Sequence, residues 1–229
     1  MTGDLFSDRA LRGQTLGRAD VERLALSPRH LVDCDLEEAD LARFDLTDWT
    51  FERCNLRRTD FTGATLERAR FLSCRGPFAA FPGANLSEAA FTASDFNNAS
   101  LRGATITSAS FTACKLTGAD LSDARGLDAR FEETLLINAK LPGFSFRKQT
   151  LRRLDFSEAD LRKCDFRATV FDECSLRNAN MADGRFEGAD LRSADLGGLR
   201  LFDAALFRGA TISRAQAGAL LGELGLNVL

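Results

Sequence analysis

The sequence has few of the residues that usually build catalytic sites. Among 229 residues there is no tyrosine, one tryptophan and one histidine, His30. His30 stands beside Arg29 and close to Pro28, where we expect a capping or solvent-facing role rather than general-base catalysis. No glycine-rich phosphate loop is present, because RGPFAAFPG has no strand-to-helix context. These absences predict a protein that is not an enzyme, with no catalytic residues and no cofactor.

Long hydrophobic runs and an excess of one charge are also missing. No run approaches the ~18 apolar residues of a membrane span, and the N-terminal MTGDLFSDRALRGQ lacks the apolar core of a secretory signal. The formal charge is −3, from 33 acidic and 30 basic residues, which is too balanced for a typical nucleic-acid binder. We therefore expect a cytoplasmic protein that contacts neither membrane nor nucleic acid directly.

The chain does contain a period of five residues. Counting in fives from Leu31 to Leu206, 34 of 36 residues are Leu, Phe, Ile or Met, the exceptions being Gly76 and Gly126. We call this position i. At i−2, 29 of 35 residues are Ala, Cys, Ser, Thr or Gly, and the residue between is mostly polar. This in-out-in alternation is typical of a strand, and the last two residues must turn a corner.

Such repeats predict an all-β solenoid whose stacked coils pair their backbones along the axis. The period alone allows three or four sides, of fifteen or twenty residues per coil. Small residues at i−2 favour four sides around a narrow lumen. Left-handed β-helix acyltransferases share the general shape, but they have a period of six and need a histidine well inside the coils.

The six cysteines all lie at i−2: Cys34, Cys54, Cys74, Cys114, Cys164 and Cys174. That position favours small buried side chains, and free cysteine behaves as a small hydrophobic residue. All but Cys164 are separated by multiples of twenty, which also favours four sides. Without a CxxC or paired histidines, we interpret them as structural thiols of a reducing compartment, with no metal site.

Three irregularities interrupt the repeat: Gly76 with its neighbouring prolines, Gly126, and LPGFSFRKQTLRRL after Leu141. The last places oversized Phe144, Gln149 and Leu154 at i−2. It also carries a basic run, which comprises Arg147, Lys148, Arg152 and Arg153. Each irregularity is either a local bulge that kinks the rod or a contact site for a partner, and charge runs are usually solvated.

The two ends depart from the repeat. Residues 1–30 are interpreted as a degenerate first coil or a cap, because an open solenoid end must be blunted. Phe44 and Trp49 are too large for i−2 and would close the N-terminal end of the lumen. Residues 31–210 form the repeat region, and 211–229 are predicted to form a helix and a short strand. Ser213 with Gln216 resembles a capping box, and Gly225 is placed as a C-cap glycine.

The helix is too short to be stable alone and should lie over the last coil. Its apolar residues, with those of the following segment, indicate either a cap or a dimer interface. The candidate interface residues are Leu220, Leu221, Leu224, Leu226 and Val228.

The segments ANLSEAAF (84–91), CKLTGADL (114–121) and EADLRKCDF (158–166) resemble the A(D/N)LXX signature of the pentapeptide repeat family. The resemblance covers about 175 residues and implies a right-handed quadrilateral β-helix. The C-terminal ISRAQAGALLGELGLNVL is similar to the dimerisation element of the Qnr and MfpA fluoroquinolone-resistance proteins and related immunity proteins. Those are dimeric rods that bind DNA gyrase or topoisomerase IV and resemble B-DNA in shape and charge.

By that resemblance, this chain is a homodimeric DNA mimic that protects a topoisomerase from a poison such as a quinolone, in antibiotic resistance or in self-immunity. A mimic should be acidic, yet no predicted wall is markedly so. The clearest excess is in residues 31–60, with nine acids and four bases. The candidate partner-binding residues are Asp35, Glu37, Glu38, Asp40, Asp45 and Asp48. The alternative is a repeat scaffold with an unrelated cytoplasmic partner. Ice binding is disfavoured, because the threonines do not persist along one wall.

Overall fold

A computed structural model describes residues 10–24, 29–198, 205–222 and 225–228. Its nine short strands form one parallel sheet in chain order. Each strand pairs with the next at a register of twenty residues, as in Leu31↔Phe51↔Phe71. The strands are β1 Leu11–Arg12, β2 His30–Val32, β3 Thr50–Glu52, β4 Arg70–Leu72, β5 Ala90–Thr92, β6 Ser110–Thr112, β7 Arg130–Glu132, β8 Thr150–Arg152 and β9 Val170–Asp172.

The sheet is one of four walls. Isolated parallel bridges with the same twenty-residue register define the other three, beginning with Asp35↔Asn55, Asp40↔Asp60 and Asp45↔Thr65. We number the walls by their inward residues in the coil that begins at Leu31: the first by Leu31, the second by Leu36, the third by Leu41 and the fourth by Leu46. The quadrilateral β-helix predicted from the repeat is therefore confirmed.

Each corner is made by the two residues after i. The second of them adopts the left-handed region, as in Glu38 (φ 59°) and Arg43 (φ 63°). At Leu36 the carbonyl accepts the amide of Ala39, three residues on, at 3.0 Å. A hydrogen-bonded turn with positive φ at its third residue is a type II turn. Turns of this kind, as at Leu36, Leu41 and Leu46 of the second, third and fourth walls, redirect the chain without lengthening the repeat.

The lumen is filled as the five-residue pattern predicts. Every i side chain from Leu31 to Leu191 is buried except at Gly126. Phenylalanines stack along the first wall, with centroids of Phe71, Phe91 and Phe111 spaced 4.5 and 4.7 Å apart. All six cysteines are free and buried, as predicted. Buried hydroxyls at i−2 donate to backbone carbonyls, for example Thr59 Oγ1 to Leu36 O at 2.8 Å.

The irregularity at Gly76 does not interrupt the coil. The register passes through it unchanged, since Asn55 pairs with Arg75 and Arg75 with Asp95. A Cβ on Gly76 would lie 2.3 Å from Cε1 of Phe96. The Phe96 ring of the next coil therefore occupies the space that a side chain at 76 would take. Glycine at position 76 therefore allows the Phe96 ring to pack in the lumen. The local bulge considered in the sequence analysis is not formed at this position.

The N-terminal end combines a partial coil and a helix. β1 pairs with β2, and Leu16 N donates to Asp35 O at 2.8 Å. Helix α1, Arg18–Leu24, follows and buries Val21 against the lumen. Arg18 lies 4.9 Å from the Phe44 ring centroid, so α1 covers this oversized side chain. Residues 1–9 and 25–28 of the predicted cap lie outside the described residues.

The C-terminal coil is one residue longer than the others. Asp190 pairs with Thr211, and the Phe207 ring packs against the Phe186 ring in a tilted arrangement, with centroids 4.6 Å apart. The spacing is thus twenty-one, and the sequence-based expectation that Leu206 continues the inward column is wrong. The extra residue lies after Asp195, which still pairs with Ser175 at the twenty-residue register.

Helix α2, Arg214–Gly222, lies over this coil. The predicted capping box is present: Gln216 N donates to Ser213 Oγ and Ser213 N to Gln216 Oε1, at 3.2 and 2.6 Å. Gln216 Nε2 also donates to the carbonyls of Leu191 and Ala194, both at 2.7 Å. Gly225 has φ 76°, and Leu226 N donates to Leu221 O at 3.4 Å, as in a Schellman C-cap. Neither described helix is long and apolar enough to cross a membrane.

Candidate partner-binding surfaces

The six predicted partner-binding acids encircle one coil near the N-terminal end. Asp35 and Glu37 flank the inward Leu36 of the second wall, and Asp40 and Asp45 precede the inward residues of the third and fourth. Glu38 and Asp48 stand at corners, with positive φ. The acids form a belt around the rod rather than a stripe along it, and we call this set the acidic belt.

Four of the six belt carboxylates are paired with arginines. Glu37, Glu38 and Asp48 each face an arginine twenty residues later: Arg57, Arg58 and Arg68. Asp40 pairs instead with Arg18 of α1, at 3.0 Å. The register of the solenoid creates these pairs, because residues twenty apart lie directly above each other. Much of the belt's negative charge is thereby neutralised.

Hydrogen bonds hold several of these carboxylates ionised. The Arg68 side chain lowers the pKa of Asp48, and Asn55 followed by Arg57 lowers the pKa of Glu37. The hydroxyl of Thr47, then its amide, lowers the pKa of Asp45. A cationic partner would therefore meet ionised carboxylates at Glu37, Asp45 and Asp48, but it would have to displace arginines to reach Glu37 and Asp48.

The predicted dimer residues are divided between the interior and the surface. Leu220 is half-buried and packs against the core of the last coil. Leu221, Leu226 and Val228 are exposed by 40%, 53% and 55%. A Cβ on Gly218 would lie 3.6 Å from Val228, so the tail folds back along α2. Leu224 lies outside the described residues. Residues 226–228 carry no strand within this one chain, and their pairing with a second copy stays a prediction.

The fourth wall opens between two neighbouring coils near Gly126. In the regular ladder on either side, Ile106 N donates to Arg125 O at 2.7 Å and Phe146 N to Asp165 O at 2.9 Å. The equivalent hydrogen bond of the intervening coil would run from Gly126 N to Ser145 O, and it is not formed among the described residues. The corresponding bonds of Ser145 N to Ala124 O and Asp128 N to Arg147 O are also missing. We call residues 123–131 and 142–151 the opened seam.

Oversized side chains accompany the opening. Phe144 occupies an i−2 position that holds alanine in the preceding four coils, at residues 64, 84, 104 and 124. Its ring packs on Phe131 and Phe146, at 5.9 and 4.8 Å. The larger ring thus accompanies the separation of the coils. A Cβ on Gly126 would lie 2.8 Å from Ile106 Cγ1, so Ile106 of the preceding coil occupies the space beside this glycine. The Gln149 side chain replaces one lost bond, donating to Ala129 O at 3.3 Å.

A cleft of about 400 Å³ follows the opening. It is lined by Asp128, Arg130, Phe131, Glu132, Gln149, Thr150 and Arg152. Leu127, beside it, is 77% exposed. The sequence marked this place through Gly126 and the oversized i−2 residues, but it could not distinguish a bulge from a separation of coils.

Three of the six cysteines are poorly suited to nucleophilic chemistry. Burial raises the pKa of Cys114 and Cys174 to about 11 and that of Cys164 to about 12. These thiols are protonated at neutral pH, whereas the thiolate is the reactive form. Among the residues that the structure describes, no cluster of His, Cys, Asp or Glu side chains is arranged to hold a metal ion.

Two family models match the chain. The pentapeptide repeat region model matches residues 26–101, and the model of pentapeptide repeats in eight copies matches 84–123, 129–167 and 169–206. Together these cover well over half of the sequence. The chain belongs to the pentapeptide repeat family. No curated protein sequence matches it significantly.

Solved structures of QnrB1, a plasmid-mediated fluoroquinolone resistance protein, have the same fold. The full-length QnrB1 structure is 20% identical, with a TM-score of 0.73, and the match covers 95% of this chain and 100% of QnrB1. A trypsin-treated variant of QnrB1 is 22% identical, with a TM-score of 0.75, over 87% of this chain and 99% of that one. This chain and QnrB1 thus share the fold of a four-sided β-solenoid.

Proposed function

We propose that this chain is a non-enzymatic, homodimeric, cytoplasmic protein that binds DNA gyrase or topoisomerase IV as a DNA mimic and protects it from a poison. The observation that carries the proposal is the end-to-end match to full-length QnrB1, which is named as a fluoroquinolone resistance protein. A shared fold does not by itself assign a function. The C-terminal element gives independent support.

That element supports the dimer. α2 is fixed to the last coil by Gln216 and carries the exposed Leu221, and the tail that follows it exposes Leu226 and Val228. Exposed apolar groups concentrated at one end of a rod are typical of an interface. Joining two copies there would roughly double the rod length. At about 4.8 Å between paired strands, the first wall spans about 38 Å from β1 to β9.

The electrostatic part of the proposal is that the acidic belt meets cationic groups of the topoisomerase. Because Glu37, Glu38 and Asp48 are already paired with arginines, recognition requires exchange of these arginines for groups of the partner. Exposed ion pairs contribute only about 0–1 kcal/mol each, so the exchange is energetically feasible.

The experiment is a gyrase cleavage assay with a quinolone, in which the purified protein is titrated and double-strand breaks and supercoiling are both measured. We expect fewer quinolone-stabilised breaks as the protein is added. Breaks that persist and supercoiling that is unchanged at high dimer concentration would contradict the proposal.

The second candidate function is a scaffold with an unrelated cytoplasmic partner. The neutralisation of the acidic belt by arginines favours it, since a DNA mimic needs uncompensated negative charge where phosphates would lie. In that case the protein would leave the cleavage assay unchanged, although the fold would be as described and the proposed dimer would still form.

A further inference from the structure

The opened seam leaves backbone groups unpaired in the middle of a wall. Elsewhere, the amides of one coil donate to the carbonyls of the next, as Ile106 does to Arg125. At the seam, the amides of Gly126, Asp128 and Ser145 have no backbone acceptor among the described residues. A row of unpaired amides and carbonyls is the feature by which a sheet edge accepts an added strand.

The side chains around these amides are predominantly basic. Arg125, Arg130, Arg147 and Lys148 make no ion pair within the described part of the chain, whereas Arg152 faces Asp172 at 3.8 Å. Two acids also lie at the cleft without an ion pair, Asp128 and Glu132. Four unpaired bases against two unpaired acids leave a local positive charge, although the whole chain has a net charge of −3.

An apolar contact point completes the surface. Leu127 is 77% exposed, the highest value among the large hydrophobic residues of the described chain. It directly follows Gly126 and precedes Asp128, both of which have free amides. If a partner segment paired with these amides, some of its side chains would contact Leu127 and others would contact the basic groups.

From this combination we propose that the opened seam is a docking site for an extended acidic segment of a partner protein, added to the ladder as a short strand. The segment alternates acidic and apolar residues: its backbone pairs with the amides of Gly126 and Asp128, and its carboxylates meet Arg130 and Arg147. The site does not depend on the proposed topoisomerase function, which uses other surfaces.

The test uses the full chain and a fluorescein-labelled octapeptide of alternating glutamate and valine, with binding followed by fluorescence anisotropy. Three further probes separate the contributions. A lysine–valine peptide tests the sign of the charge, and a glutamate–valine peptide with N-methylated alternate amides tests main-chain pairing. A single-stranded oligonucleotide of equal charge tests whether nucleic acid is the better ligand.

Two variants and one matched control locate the site. Arg130→Glu and Arg147→Glu should each weaken binding of the acidic peptide by at least about tenfold, since each replaces attraction with repulsion at the seam. Arg75→Glu changes an arginine of the second wall that is also exposed and makes no ion pair among the described residues, and it should leave affinity unchanged. Circular dichroism checks that each variant folds.

We expect the acidic peptide to bind, the lysine peptide not to bind, and N-methylation to reduce affinity. Hydrogen exchange at Gly126 and Asp128 should slow when the peptide is present. The proposal is overturned if the acidic peptide does not bind at about millimolar concentration, if Arg75→Glu weakens binding as much as Arg130→Glu, if N-methylation has no effect, or if the oligonucleotide binds more tightly.

Discussion

At the scale of single residues, position within the five-residue repeat decides what each side chain does. Cysteine at i−2 is a small core residue, and threonine there donates its hydroxyl to a carbonyl, as Thr59 does. Glycine serves two distinct purposes. Gly76 makes room for the Phe96 ring, whereas Gly83 supplies a left-handed corner with φ 65° and nothing within 4 Å of a Cβ.

These two roles predict different responses to the same substitution. Gly76→Ala should destabilise the protein by about 1–3 kcal/mol, because the methyl group would overlap a packed ring. Gly83→Ala should lower the free energy of unfolding by about 1–2 kcal/mol, because the only penalty is the strain of alanine in the left-handed region. Urea unfolding followed by circular dichroism measures both. A further substitution, Phe96→Leu, should reduce the cost at residue 76 and leave that at residue 83 unchanged; equal costs in both backgrounds would contradict the packing role.

The belt carboxylates predict how stability depends on pH. Hydrogen bonds from Arg68 and from Thr47 lower the pKa values of Asp48 and Asp45 in the folded state. A lowered folded pKa gives stability that is present above the unfolded value of about 3.9 and is lost as pH falls through the folded value. The thermal midpoint should therefore be constant above about pH 5 and fall below about pH 4.

The variant Asp45→Asn isolates one of these groups. Asparagine keeps the acceptor for the Thr47 amide but has no charge to titrate. Its acid-induced decrease in thermal midpoint should be smaller than that of the unmodified protein. An identical decrease would show that Asp45 contributes nothing to the pH dependence.

At the scale of elements, the two ends are closed in different ways. α1 follows a partial coil and places Arg18 over Phe44. α2 is fixed by Gln216 and leaves Leu226 and Val228 exposed. Among the described residues of the two ends, only the C-terminal element therefore exposes large apolar side chains. This asymmetry predicts that two copies associate through their C-terminal ends.

Charge substitutions at the tail test that association. The double variant Leu226→Glu and Val228→Glu should convert a dimer into monomers, because four carboxylates would face each other across a symmetric interface. Light scattering gives the mass. Leu127→Glu is the matched control, an exposed leucine remote from the tail, and it should leave the mass unchanged. A dimer that survives the double variant would place the interface elsewhere.

Much of the fold could be predicted from the sequence because each element depends on local residues. The phase of Leu and Phe identifies the interior, and Ser213 with Gln216 identifies the start of α2. The extra residue in the last coil could not be predicted, because Leu206 and Phe207 are both large and apolar and either fits the column. The opened seam could be located but not described, since coil separation depends on how Phe144 packs against Phe131.

The candidate sites were harder to predict for an electrostatic reason. A count of charges indicates an acidic excess in residues 31–60, but only the register of twenty shows that Arg57, Arg58 and Arg68 lie beside belt acids. The same register could have been applied to the sequence once four sides were assumed. Ion pairs between neighbouring coils are thus predictable in principle, whereas the identity of a partner protein that would replace these arginines is not.

At the scale of the whole molecule, the chain is a four-sided rod whose interior is filled and whose outer surface is free to recognise a partner. No described side-chain cluster suggests metal chemistry, and the similarity to full-length QnrB1 spans almost the entire chain. We propose that this surface occupies the site on a topoisomerase where DNA would otherwise bind.

The most direct test is competition for gyrase between this protein and DNA. Immobilised gyrase is incubated with a labelled duplex, the purified protein is titrated, and the remaining duplex and the bound protein are both measured. We expect the protein to bind gyrase and the labelled duplex to be released in proportion. Failure of the protein to bind gyrase, or binding that leaves all of the duplex in place, would contradict the proposal.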